Sequence, residues 1–159
     1  MRIVPAAYDH PDAVKLNDMV QQEYAERYGD GGDITPLAPE MFRPPNGLYL
    51  IAYDAADRPV ATGAWRARDS GGEGYRDGDA EIKRMFVVRE ARGQGLARRV
   101  LALLEEDARQ ADRIRMVLET GIMQPEAIAL YESSGYTLTE KFGLYRCHDS
   151  SRCYAKPLR

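Results

Sequence analysis

The chain is short of the features that tie a protein to a membrane, a nucleic acid or an oxidising compartment. No apolar run approaches the roughly eighteen residues that span a bilayer. The opening "MRIVPAAYDHPDAV" has no long apolar segment of the signal-peptide kind, so a cytoplasmic protein without a membrane partner is expected. Basic excess is also missing. The formal net charge is -3, whereas a domain that grips nucleic acid normally carries a basic face, so no nucleic-acid partner is expected. Cysteine is scarce: Cys147 and Cys153 are the only two, and in a reducing compartment they are expected as free thiols, although they flank a candidate C-terminal hairpin that a disulfide would suit. With His148 they crowd three ligand types into one turn, a poor zinc pattern, and no metal is expected. There is no internal repeat and no low-complexity tract.

What is present is the composition of a globular protein: 159 residues, 44% hydrophobic and 30% charged, expected as one domain over residues 1–159 around one core. "MRIVPAAY" reads as a first strand. "HPDAVKLNDMVQQEYAERYG" sets Val14, Leu16, Met19, Val20 and Tyr24 at near-helical spacing and closes at Gly29. "LAPEMFRPPNG" is a short helix cut by Pro44 and Pro45. "GLYLIAYD" and "RPVATGAWRAR" form a hairpin around "AADR", "DSGGEGYRDGD" is a loop, and "AEIKRMFVV" is a strand. A helix with Leu96, Val100, Leu103 and Leu104 as its apolar stripe follows, then the strand "RIRMVLET". Right-handed crossover makes the strands around that helix parallel. "QPEAIALYESS" is a helix with Pro125 in its first turn and Gly135 just beyond its end. "GYTLTEKFGLYRC" and "RCYAKPL" complete the chain as strands around "HDSS". The order implies an α+β, or mixed α/β, fold with a largely antiparallel sheet.

The stretch "EARGQGLARR" joins the strand to its helix. A helix start exposes unpaired N–H groups and the positive end of the helix dipole, and Gly93 and Gly95 would let a phosphate reach the backbone while Arg92, Arg98 and Arg99 neutralise it. Two glycines permitting a tight turn beside a solvated arginine face would explain the same residues. "RGQGLA" has neither the lysine nor the hydroxyl of a P-loop. It is also a broken dinucleotide fingerprint. Arg98 takes the third glycine position, and although Glu119 sits where a ribose-binding acid would, too little chain follows it to finish such a fold.

Arg92-Gly93-Gln94-Gly95-Leu96-Ala97 resembles the arginine/glutamine-x-x-glycine-x-glycine/alanine signature of the GNAT superfamily of acetyl-CoA-dependent N-acetyltransferases. "QPEAIALYESSGY" resembles that family's asparagine-x-x-alanine-x-x-leucine-tyrosine helix, with Ala127, Leu130, Tyr131, Gly135 and Tyr136 in register and Gln124 in place of asparagine. Two such motifs, each on its expected element, are far more specific than either alone. The resemblance implies a GNAT-like acyl-CoA N-acyltransferase fold, a mixed, mostly antiparallel sheet flanked by helices and splayed where a parallel strand pair parts. It implies acetyl-CoA as the acetyl donor, with a coenzyme site made by Met85, Phe86 and Val87 on the strand, Arg92 through Arg98 in the turn, and Gln124 and Ala127 on the later helix.

It also implies N-acetyl transfer to a primary amine, of a small molecule by analogy with compact members, by direct transfer in a ternary complex. The other readings are a protein lysine or N-terminal acetyltransferase, and a non-catalytic acyl-CoA-binding module that keeps the turn but lacks the acid and base. A homodimer is compatible with either. By the resemblance Tyr131 is the general acid for the departing thiolate, and a backbone N–H near Val87 faces the thioester carbonyl. Glu81 is the first candidate base. Strand alternation puts Glu81, Lys83, Met85 and Val87 on one face, where Lys83 beside Glu81 would weaken it as a base. Glu119 is the second candidate. Asp30, Asp33 and Glu40 lie where a cationic amine would enter, with a solvated acidic loop as the plainer reading. His10 reads as a surface or capping residue, His148 as part of a turn, and Trp65 as core.

Overall fold

The computed structural model describes residues 1–29 and 33–159; Asp30 lies outside the described residues. Seven strands form one sheet in the order β1-β2-β3-β4-β5-β7-β6. They are β1 (Arg2–Pro5), β2 (Gly47–Tyr53), β3 (Pro59–Arg68), β4 (Asp79–Val87), β5 (Arg115–Gly121), β6 (Thr137–Leu138) and β7 (Ser151–Pro157). Every neighbouring pair is antiparallel except β4 with β5. That is the mixed, mostly antiparallel α+β arrangement expected.

Helix α1 (Pro11–Tyr28) begins at His10, whose Nδ1 accepts the Asp12 N–H at 3.0 Å, and ends at Gly29 in the left-handed conformation. It buries Ala13, Leu16 and Val20 against Tyr49, Ile51 and Ala61 on one face of the sheet. Val14 and Met19, expected in that stripe, lie on the exposed side. Helix α2 (Leu96–Gln110) covers the other face with Val100, Leu101 and Leu104. Leu103, placed in the stripe from sequence, is 45% exposed, and Leu101 occupies the buried position. Trp65 is fully buried beneath this helix and donates its indole N–H to Asp107 at 2.9 Å, so a large apolar surface is buried without orphaning its polar atom. Helix α3 (Pro125–Ser133) joins the α2 face through Tyr131, and just beyond it Tyr136 donates to buried Glu105 at 2.7 Å.

Two strand expectations are corrected. "GYTLTEKFGLYRC" is a strand only at Thr137–Leu138. The chain then turns inward because Phe142, 1% exposed, packs on Tyr75 and Cys153 and leaves the sheet edge. In β4, alternation fails at Arg84. The β3 register shifts between Thr62 and Ala64, and Arg84 takes φ 59°, a bulge that turns two successive side chains to one face. Lys83 and Arg84 both reach Asp33, whereas Met85 lies on the α2 side beside Val100, where Gly63 leaves it room.

The parallel pair β4–β5 runs for three residues, Asp79↔Arg115 to Glu81↔Val117. Its closed end is locked by Arg115, which donates from Nε and Nη2 to the two oxygens of fully buried Asp79, each at 2.8 Å. Beyond Glu81 the strands part, and the edge of β4 facing β5 has no strand partner among the described residues.

Candidate active site

The gap between the parted strands opens into two cavities. One, of about 150 Å³, lies between Lys83, Arg84, Glu119, Tyr24, Tyr28 and Tyr145. The other, of about 400 Å³, runs along Met85, Phe86 and Val87 to Arg92, Gly93, Gly95 and Arg98. Met85, Gln124, Ala127 and Tyr131 line both.

The turn at the head of α2 is built to present main-chain donors. Gly93 and Gly95 have φ of 82° and 75°, a region L-residues enter only with strain. A Cβ at either position would meet nothing within 4 Å, so the glycines serve the backbone conformation and leave the space above it open. The first N–H from Gly93 onward that finds a main-chain acceptor is that of Arg99, donating to Gly95 at 3.1 Å. The preceding N–H groups have no main-chain acceptor outside the turn, which lines the larger cavity at the positive end of the helix, where an anion is favoured. Arg92 is held by Glu23 of α1 at 2.9 Å and by the Val87 carbonyl at 2.9 Å. Arg98 donates to Ser133 and Ser134, so it ties the turn to α3. Gln94, Leu96 and Ala97 complete the turn, with Gln94 exposed and Leu96 buried. Gln124 stands at the start of α3, its amide donating to the Tyr28 hydroxyl at 3.3 Å.

The three predicted chemical residues are not equivalent in space. Tyr131 stands where the two cavities meet. Burial pushes its phenol well above the ordinary tyrosine range, with Tyr24 adding to the shift, so the hydroxyl keeps its proton at neutral pH. Glu119 lines the smaller cavity. Burial raises its carboxyl to about 7, against the opposing pull of a 2.8 Å hydrogen bond from Ser151 and of nearby Lys83. Glu81 lines neither cavity. Arg66, opposite it on β3, donates to Oε1 at 2.8 Å, and the Tyr75 hydroxyl donates to Oε2 at 2.8 Å. Both oxygens of this 4%-exposed carboxylate are therefore engaged in a buried structural ion pair. The ion pair expected with Lys83 is absent.

Asp33 is not a free acid awaiting an amine. Its Oδ2 accepts from Lys83 at 2.8 Å and from Arg84 at 2.9 Å, and Oδ1 accepts from Thr35. Lys83 and the hydrogen bonds overcome burial and hold its carboxyl well below the usual range. Glu40 is exposed and outside both cavities. Sequence reasoning missed this Lys83–Asp33–Arg84 cluster and the walls made by Tyr24, Tyr28 and Tyr145. Cys147 and Cys153 are unbridged, and neither lines a cavity. Among the described residues no helix is long and apolar enough to cross a membrane, and no cluster of metal-ligating side chains occurs.

The sequence and the fold are similar to those of proteins already known. Residues 13–136 match the sequence model of the acetyltransferase (GNAT) family. The chain belongs to that family. It is therefore an acetyl-CoA-dependent acyltransferase, as its two motifs implied. It is 39% identical over 151 residues to an IAA acetyltransferase of Azospirillum brasilense, covering 90% of this chain and 93% of that one. Among solved structures, a Klebsiella pneumoniae protein classed as an acyl-CoA N-acyltransferase superposes with a TM-score of 0.80 at 29% identity, over 99% of this chain and 97% of that one. An aminoglycoside 6'-N-acetyltransferase complexed with coenzyme A gives a TM-score of 0.69 at 17% identity, over 100% and 98% of the two chains, a likeness of fold.

Proposed function

We propose that this GNAT acetyltransferase N-acetylates the primary amine of a small molecule by direct transfer in a ternary complex, with Glu119 as general base and Tyr131 as general acid. The observation that carries the reading is the place of Tyr131, at the junction of a donor-lined groove and a small cavity containing Glu119. The groove suits acetyl-CoA. The free N–H groups and open space at Gly93 and Gly95 fit a pyrophosphate, and the unpaired β4 edge at Met85, Phe86 and Val87 fits an amide-bearing pantetheine arm.

Bound in that groove, acetyl-CoA supplies the thioester carbon that the amine attacks. Glu119 accepts a proton from the incoming ammonium, and with its carboxyl raised to about 7 it is matched to that task near neutrality. A main-chain N–H of the unpaired β4 edge stabilises the tetrahedral oxyanion. Tyr131, kept protonated by burial, donates to the departing thiolate. Neither cysteine lines either cavity, which supports direct transfer over an acetyl-cysteine intermediate.

The test is Tyr131→Phe assayed for thiol release over a panel of primary amines. Loss of the acid is expected to lower kcat by about 10²-fold or more with acetyl-CoA affinity retained. Unchanged turnover with intact binding would remove Tyr131 from the chemistry.

A further inference from the structure

The smaller cavity carries a charge pattern that the acetyl-transfer reading does not use. Lys83 and Arg84 both point into it and share a single carboxylate oxygen, Oδ2 of Asp33. Their side chains are only 11% and 5% exposed. Lys83 has three donors, and one is taken by Asp33. Arg84 donates through Nη1, while its Nε is buried with no partner. Two cations against one fully ionised carboxylate leave an excess positive charge among the described residues. Glu119, protonated for about half the time at neutrality, offsets it only in part. Such a chamber repels a simple ammonium and penalises a polycation more strongly, because charges this buried are screened less than surface ones. A buried guanidinium and ammonium with spare donors instead form a receptor for a carboxylate.

Resting on the function proposed above, we infer that the acceptor is an amino acid, whose own carboxylate is held by Lys83 and Arg84 while its amine faces Glu119. The zwitterion brings no net charge into the cavity, so the repulsion that excludes a bare ammonium is balanced within the ligand. Proximity to Lys83 and Arg84 also favours the neutral, nucleophilic form of the amine once Glu119 has taken its proton. A space of about 150 Å³ seats one small molecule, since a cavity of that size takes a ligand of benzene's bulk. Tyr24, Tyr28 and Tyr145 give its walls aromatic surface for an apolar side chain.

The experiment compares the L-amino acids, the α-carboxamide and the decarboxylated amine of each, and the polyamine spermidine, as acceptors for the full chain at saturating acetyl-CoA. At least one amino acid is expected to exceed its own carboxamide and amine in kcat/KM on the order of 100-fold, because both analogues leave the excess positive charge and the spare donors of Lys83 and Arg84 uncompensated. Lys83→Met is expected to raise KM for that amino acid about tenfold and to narrow the discrimination, measured above pH 8 so that Glu119 is ionised in both proteins. Carboxamides, bare amines or spermidine acetylated as well as the amino acids would overturn the inference and leave N-acetylation standing. No turnover of any acceptor while acetyl-CoA still binds would overturn the acetylation reading as well. The panel on the unaltered protein decides the matter even if Lys83→Met does not fold.

Discussion

Replacing Glu119 with glutamine isolates the base, because the amide keeps the shape and can still meet the Ser151 hydroxyl while losing the titration. The carboxyl is raised from 4.5 to about 7, a differential penalty on its charged form of about 3 kcal/mol. A base of that strength is about half ionised at neutrality and only about 3% ionised at pH 5.5. The ratio of parent to Glu119→Gln kcat/KM should therefore climb about 30-fold from pH 5.5 to a plateau above pH 8, with its midpoint near 7. Taking the ratio cancels the titration of the substrate amine, which both proteins share. On the plateau the variant should be slower by about 10²- to 10⁴-fold. Ser151→Ala removes a hydrogen bond that favours the charged carboxylate, so it should move the midpoint upward and cost most of its activity below pH 7. Stability carries the same signature with its own sign. The folded-state value is raised, so the folded chain binds a proton between about pH 4.5 and 7 that the unfolded chain has released. Unfolding free energy should therefore fall by up to about 3 kcal/mol as pH rises through that window, and the slope should vanish in Glu119→Gln. A ratio that stays flat from pH 5.5 to 8.5 would refute the assignment of Glu119 as the base.

Two further outcomes probe the frame around it. Gly95→Glu should lower acetyl-CoA affinity by about 10²-fold or more in calorimetry while far-ultraviolet circular dichroism is unchanged, since the new side chain enters open space at a left-handed strain of about 1–2 kcal/mol; retained affinity would make the turn a connector only. Arg66→Met should destabilise the fold by about 3–5 kcal/mol in urea unfolding, because it strands buried Glu81 with Tyr75 as its one remaining donor; a loss under about 1 kcal/mol would show that the pair is dispensable.

The parts of the site that are local in the chain were legible from it. Gly93, Gly95 and the α2 start are consecutive, and Tyr131 is fixed by helical spacing from Ala127, so the motifs located the groove and the junction residue. The choice of base was not legible, because it depends on partners from other strands. Arg66 faces Glu81 across β3–β4, and Tyr75 reaches the second oxygen from the intervening loop. The bulge was not legible either. Arg84 at φ 59° is not a residue type that announces a left-handed conformation, and it alone reverses the face of Met85. The long hairpin expected after Tyr136 failed for a related reason: burial of Phe142 against Tyr75 outweighed the strand-like pattern around it.

Helix α1 has one face that serves both cavities. Glu23 and Arg27 border the groove, while Tyr24 and Tyr28, one residue along in each turn, border the smaller cavity, with Tyr28 seated on Gly121 of β5. Any ligand that shifts or stiffens this helix through one pair acts on the other pair through the same rigid rod. Whatever factor the donor contributes to acceptor affinity, the acceptor must return to the donor, because the two binding free energies close one thermodynamic cycle.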